Sequence, residues 1–190
     1  MISLYKDLKN VPQINCNIDL LKSMFNLKDN EYFHTILDKE NDIWLSEEFE
    51  NWLARFNLSI KRIEIFHTEP LKTTGWHIDM NPPSDYVKIN WVYEKGISYM
   101  EWGEEHFNSL PETKITMAGT SYLKLQSDAV DMICSHHLQG PTLVNVGYPH
   151  RVVNEKNSDR WCLSAIVWNK KNNSRLLWDD ALKLLENYLI

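Results

Sequence analysis

Little in this chain of 190 residues points to secretion, to a membrane or to a phosphate backbone. It has three cysteines, Cys16, Cys134 and Cys162, odd in number and far apart. No C-x-x-C pair and no even set outlines a disulfide framework, which fits a reducing compartment. No apolar run nears the roughly 18 residues of a membrane span, and the stretch from Met1 to Asp7 lacks the apolar region of a signal peptide. The expectation is a cytoplasmic protein without a membrane partner. Basic clusters are scarce too. The formal net charge is −6, and the densest basic stretch, Lys170-Lys171 with Arg175, is short. A protein that grips nucleic acid shows a basic patch or stripe, so no nucleic-acid partner is expected. No linker, repeat or low-complexity tract divides the chain, and the expectation is one domain over 1–190, large enough to bury roughly 70% of the surface of its unfolded chain.

What is present is ordinary in bulk and unusual in aromatics. Apolar residues make up 43% and charged residues 24%, as in a soluble globular protein. Eight Trp and eight Tyr suit β-rich cores and the walls of ligand clefts. Three helices are readable. Residues 18–26 follow Asn17, a good N-cap, and set Ile18, Leu21, Met24 and Phe25 on one face. Residues 47–56 follow Ser46 and carry Phe49, Trp52, Leu53 and Phe56 at helical spacing. Residues 176–189 repeat the pattern with Leu177, Ala181, Leu184, Leu185 and Tyr188. Between 59 and 169 the period changes toward two. Candidate strands are 60–66, 75–80, 86–93, 97–102, 114–118, 121–125, 142–147, 150–153 and 160–168. Short strands rich in Ile, Val, Tyr and Trp, broken by Pro and Gly, read as a sandwich or barrel. The fold class expected is mainly β with flanking helices: a helical buttress over 1–58, a β core over 59–169 and a C-terminal helix within 170–190.

One strand carries a metal-binding pattern. In Gly75-Trp76-His77-Ile78-Asp79-Met80, residues two apart share a face, so His77 and Asp79 project side by side while Ile78 turns into packing. An imidazole and a carboxylate are two legs of the 2-His-1-carboxylate triad that leaves iron(II) with open positions. The pair alone is weak, since about one H-x-D/E is expected by chance in such a composition. A second occurs at His67-Thr68-Glu69, where a surface or satisfied structural histidine is the simpler reading. The third element comes from Pro149-His150-Arg151-Val152-Val153-Asn154, a polar turn over 155–159, and a strand opened by Arg160. The turn composition suggests a hairpin. For His150 and Arg160 to share the inner face, the connection must hold an odd number of residues. A guanidinium can grip a carboxylate through two parallel hydrogen bonds, as a dicarboxylate chelating a metal at its other end would need. The alternative is a surface arginine paired with Asp159 or Glu155.

These pieces resemble the iron(II)/2-oxoglutarate-dependent oxygenase superfamily, whose pattern is H-x-D/E, a distal His and a basic residue about ten positions later. The match covers roughly residues 60–168. The segment PHRVVNEKNSDRWCLSAIVW is similar to that of aspartyl/asparaginyl hydroxylase-like proteins, which often lack the acidic ligand kept here as Asp79. The stretch KINWVYEKGISYMEWGEE is similar to small phage-encoded oxygenases, a resemblance that implies a host cytoplasm if a phage encodes this chain. The resemblance implies a double-stranded β-helix, also called a jelly roll or cupin-like fold, with the site inside one mouth. It implies Fe(II) held by His77, Asp79 and His150, and 2-oxoglutarate as co-substrate with its C5 carboxylate on Arg160. It also implies O2 as oxidant, and hydroxylation of a small-molecule or peptide substrate with release of succinate and CO2. Where many members read R-x-S, this chain reads Arg160-Trp161-Cys162-Leu163-Ser164. Cys162 takes the usual serine position, and Ser164 follows on the same face. Collagen-type prolyl hydroxylases have Lys where this chain has Arg160. The DNA-dealkylating members have a second Arg where this chain has Ile166.

Further candidates are less determined. Lys88 and Asn90 share a strand face that points either to solvent or to the co-substrate. Trp102 and Tyr148 line the substrate side or pack in the core. His136-His137, before Gln139-Gly140-Pro141, reads as a loop, and with Cys134 it lacks a fourth ligand for zinc. The competing function is a cupin-like module that binds a metal or small ligand without turnover.

Overall fold

The strands gather into two antiparallel sheets in the computed structural model, which describes residues 3–14, 33–37, 46–79, 84–94, 97–106, 111–116 and 119–190. The first sheet runs β1 (Tyr5–Asp7), β10 (Thr142–Asn145), β5 (Val87–Glu94), β12 (Arg160–Asn169), β3 (Leu58–Thr68) and β2 (Phe33–Leu37), with β13 (Ser174–Arg175) pairing the end of β12. The second runs β7 (Glu112–Ile115), β8 (Ser121–Lys124), β4 (His77–Asp79), β11 (His150–Asn154), β6 (Ser98–Glu105) and β9 (Val130–His136). Followed along the chain, β3, β5, β10 and β12 belong to the first sheet, and β4, β6, β9 and β11 to the second. The chain crosses from sheet to sheet at nearly every step. That winding is a double-stranded β-helix, the jelly roll expected from the sequence. The β7–β8 hairpin extends the second sheet beside β4.

Strict alternation divides the first sheet into two faces. Along β12, Trp161, Leu163, Ala165 and Val167 enter the main apolar core, while Arg160, Cys162, Ser164, Ile166 and Trp168 line a cavity facing the second sheet. The apolar face is covered by helices. Ser46 caps α1 (Glu47–Ala54), its hydroxyl accepting from the Phe49 N–H at 3.2 Å. The helix buries Phe49, Trp52 and Leu53 in that core. Near the C-terminus α2 (Trp178–Leu184) adds Trp178 and Ala181. Each such large apolar side chain contributes about 1.5–3 kcal/mol on burial. The C-terminal helix is shorter than the apolar spacing predicts, because a 3-10 turn follows over Glu186–Tyr188. The helix predicted over 18–26 lies outside the described residues.

Two sequence expectations need correction. The expected hairpin between 150–153 and 160–168 does not form: β11 pairs with β4 and β6, and β12 with β3 and β5. The five residues 155–159 instead carry the chain from one sheet to the other. Asn154 organises this corner by donating its amide to the carbonyls of Thr68, Glu69 and Ser158. Residues 130–136, including His136, form β9 rather than a loop. Its side chains are mostly exposed, so no two-residue apolar period marks it. Gly103 lets β9 approach β6, since a Cβ there would lie 2.3 Å from Val130 Cγ1 and 2.8 Å from the Asp131 carbonyl oxygen. The N-terminal region also adds β1 and β2 to the first sheet, beyond the helices read from the sequence.

Candidate metal centre

Antiparallel pairing brings two histidines together. His77 of β4 and His150 of β11 are direct partners across the second sheet, and their rings lie 4.3 Å apart between centroids. Two residues on, Asp79 turns to the same face. Its Oδ1 sits 3.9 Å from His77 Nε2 and 3.9 Å from His150 Nε2. The three side chains offer ligand atoms that all lie within 4.8 Å of one another. Ile78 points the other way, packing with Trp76, Leu123, Leu125 and Val130.

Each imidazole is fixed by the backbone that leads into its strand. His77 Nδ1 lies 2.9 Å from the Gly75 carbonyl oxygen, and His150 Nδ1 lies 2.8 Å from that of Tyr148. A carbonyl only accepts, so Nδ1 carries the proton in both rings and Nε2 faces the shared space. This is the arrangement in which histidine ligates a metal through one nitrogen while the other is held by an acceptor. Burial pushes the His150 imidazole down to about 3, and the neighbouring His77 acts in the same direction. Its Nε2 lone pair is therefore open near neutral pH. Burial opposes ionisation of Asp79, but Lys88, His150 and His77 together hold its carboxyl well below the usual range. Two neutral-capable imidazoles and one carboxylate fit a divalent first-row metal with open positions. Right-angled donors about 2.1 Å from an ion stand about 3 Å apart, so closure needs shifts of under about 1 Å.

The sequence reading leaves open the group that holds Asp79. Lys88 Nζ of β5 lies 2.6 Å from Asp79 Oδ2 and 2.5 Å from Glu64 Oε2 of β3. Of the two orientations open to Lys88 and Asn90, the inward one is observed, and both line the cavity. Burial opposes the charge on Lys88, but Asp79 and Glu64 outweigh it and raise the ammonium above its ordinary range. Asp79 thus has one oxygen bound by lysine and one turned to the imidazoles. The signal for Glu64 was its place at two-residue spacing with Arg62 and Phe66 on the polar side of β3.

The cavity holds about 1110 Å³ and extends past the triad to Arg160. Arg160 is 2% exposed, and its Nε donates to Ser98 Oγ of the second sheet at 2.8 Å. It is not a surface arginine, and Asp159 contacts His67 instead, at 2.8 Å. His150 pairs with Trp102, and Asn154 with Ser98. The Ser98 that Arg160 meets is thus four positions along β6 from the level of His150, which sets Arg160 toward the deep end of the cavity. Between them Ser164 Oγ donates to Asn90 Oδ1 at 2.6 Å. Burial pushes the Cys162 thiol up from its ordinary value, and the opposing pull of Arg160 is weaker. Cys162 is thus a neutral wall residue.

Other candidates fall to structural roles. His67 is buried beside Trp161 on the core side. Trp102 is fully buried among Leu4, Met100 and Leu138, with Tyr148 packed against the same cluster, and neither lines the cavity. His136 contacts Asp7 at 2.9 Å and stacks on Tyr5. His137 contacts Gln139. Cys134 and Cys162 are free thiols.

Fold and site together define a jelly-roll protein with a His-Asp-His cluster able to hold a metal ion. Compared with models of protein families, the chain matches none, and no curated protein matches it. Solved structures resemble it distantly. Vicilin from hazelnut (Corylus avellana) is 16% identical over 79% of this chain and 32% of its own, with a TM-score of 0.38. Oxalate oxidase in complex with the substrate analogue glycolate is 15% identical over 79% of this chain and 56% of its own, with a TM-score of 0.38. The E. coli protein ycfD is 13% identical over 79% of this chain and 45% of its own, with a TM-score of 0.42. The chain thus spans about a third to a little over half of these proteins, and the fold assignment rests on the strand order described above. Among the described residues no helix is long and apolar enough to cross a membrane.

Proposed function

We propose that the protein is an iron(II)- and 2-oxoglutarate-dependent oxygenase that hydroxylates a small molecule or peptide. The observation that carries this reading is the convergence of His77 Nε2, His150 Nε2 and Asp79 Oδ1 on a cavity whose deep end holds a buried arginine. A metal site alone would not call for that arginine. Iron(II) with 2-oxoglutarate and O2 supplies the oxidising power for hydroxylation, with succinate and CO2 as by-products. The chain supplies position. His77, His150 and Asp79 would hold the ion on one face, leaving the cavity side open for the co-substrate. Lys88 keeps Asp79 from turning both oxygens inward. Arg160 would take the distal carboxylate of 2-oxoglutarate, with Ser164 and Asn90 along the chain of the ligand and Cys162 as a neutral wall. The surrounding jelly roll limits water around a reactive centre.

Anaerobic titration of the protein with iron(II) and 2-oxoglutarate tests the reading. A metal-to-ligand charge-transfer band should grow in and saturate with the wild type and be absent from His77→Ala and Asp79→Ala. No band in the wild type rejects the proposal, as does full substrate-independent 2-oxoglutarate decarboxylation by either variant.

A further inference from the structure

The mouth of the cavity carries positive charge in addition to Lys88 and Arg160. A bulge in β3 is the first cause. Ile166 of β12 pairs with Arg62 and Val167 with Ile60, so Lys61 is an extra residue in the ladder. Such a bulge re-aims side chains, and here the adjacent Lys61 and Arg62 both line the cavity. The second cause is the β12–β13 hairpin. Asn169 Oδ1 accepts from the Lys171 and Asn172 N–H groups, and Asn173 takes φ 49°. The turn sets Arg175 opposite Trp168. Arg175 Cζ then stands 4.5 Å from the Tyr86 ring centre, and Lys61 Nζ 5.4 Å from that of Trp168. The sequence shows no linear basic cluster at 61–62 and 175 together; the fold assembles one.

The location is specific. β12 runs from Arg160 at the deep end past Cys162, Ser164 and Ile166 to Trp168, so Arg62 and Arg175 lie at the end opposite Arg160. Burial and the charge of Arg62 both push the Arg175 guanidinium down, while Asp79 and Glu64 act against them. Arg175 is therefore within electrostatic reach of both the second arginine and the triad carboxylate. Arg62 and Arg175 flank β12 from its two neighbouring strands, opposite Ile166 and Trp168, and line one cavity in a chain of net charge −6, against the overall balance of the molecule. Guanidinium groups favour planar or tetrahedral oxyanions through paired N–H donors.

We infer that Arg62 and Arg175, flanked by Lys61, form a seat for an oxyanion, a carboxylate or phosphate group, carried by the substrate at the cavity mouth. Assigning the seat to a substrate rests on the oxygenase reading; the seat itself is tested without turnover. Inorganic phosphate and acetate are titrated in turn into the purified protein, followed by calorimetry. The wild type should show saturable binding, and the tighter of the two probes tells a phosphate substrate from a carboxylate one. Arg62→Glu and Arg175→Gln should each weaken it roughly tenfold or more, also when built on Arg160→Gln, which removes the deep carboxylate site and leaves the mouth site saturable. Arg62 is exposed, so its substitution reads charge and not folding. No saturable binding of either anion, or equal binding by Arg62→Glu, overturns the inference. Loss of binding in Arg160→Gln overturns it too, by placing the anion at the deep end. The charge-transfer titration is repeated on Arg62→Glu: an unchanged 2-oxoglutarate response supports a separate substrate seat, and a weakened one shows that these residues hold the co-substrate. A wild type that binds the anion and gives no charge-transfer band rejects the oxygenase reading alone.

Discussion

Replacing Lys88 by methionine keeps most of the length of the side chain and removes an ammonium that contacts both Asp79 and Glu64. Breaking a buried ion pair from one side costs about 3–5 kcal/mol, because the charge left behind loses a close counter-charge in a poorly solvated place. The Glu64 side chain is 3% exposed and that of Asp79 19%. Access of water to Asp79 places the expected loss near the lower end, about 3 kcal/mol. With a urea dependence of about 2 kcal/mol per molar, the unfolding midpoint of metal-free Lys88→Met should fall by about 1.5 M. The pH dependence carries a second signature. In the wild type the Asp79 carboxyl is held below its unfolded value, so its stabilisation is present above that value and lost only as pH falls through the folded one. Without Lys88 the burial that opposes ionisation has lost its main counterweight, and the folded value rises. Protonation then stabilises the variant, and its deficit should shrink between about pH 6 and 4. Urea melts of both proteins at several pH values make the measurement. A loss under about 1 kcal/mol, the scale of an exposed pair, or a deficit that widens in acid, would refute the reasoning.

Three further outcomes are expected. Arg160→Ala should raise the 2-oxoglutarate requirement by roughly 10- to 150-fold, equivalent to a charge-assisted contact of about 1.5–3 kcal/mol, read from steady-state turnover or the charge-transfer titration; unchanged binding moves the role to another cation. Gly147→Ala should destabilise the fold severely, because a Cβ there would lie 2.2 Å from the Ser84 carbonyl oxygen and 2.7 Å from its carbon, backbone atoms that cannot rotate aside. A thermal melt within a degree or two of wild type would show that this approach relaxes. Ser46→Ala removes the cap that accepts from Phe49 N–H and should cost about 1 kcal/mol, whereas Ser46→Gly should cost only a few tenths.

The triad was legible because a strand period of two puts His77 and Asp79 on one face whatever surrounds them. The same period set Arg160, Cys162 and Ser164 on one wall, and the structure keeps that wall. The partner of Arg160 was not legible, since Ser98 comes from the other sheet, 62 positions away. Nor was the inward turn of Lys88: polar residues alternate with Val87, Ile89 and Trp91 in the same way whether they meet water or a polar cavity. A turn composition at 155–159 marks a reversal but carries no information about which sheet the next strand joins, so a hairpin and a crossing look alike. Strand β9 was hidden because Asp131, Met132 and Ile133 are all exposed, and three exposed residues in a row leave no alternation to read. The basic mouth was hidden for a related reason: a bulge breaks the alternation by which Lys61 and Arg62 would have been assigned to opposite faces.

The ring hydrogen bonds of His77 and His150 run to carbonyls two positions back along the chain, just ahead of each strand. The aim of both nitrogens is thus inherited from backbone that exists with or without an ion. Such a holder selects a shape and is indifferent to the element that fills it. Manganese, cobalt, nickel and zinc should all enter, with affinities following the general order of divalent ions. Which one would occupy the site is then decided by supply in its surroundings, and a preparation purified without control of trace metals should contain whatever was most competitive in the medium.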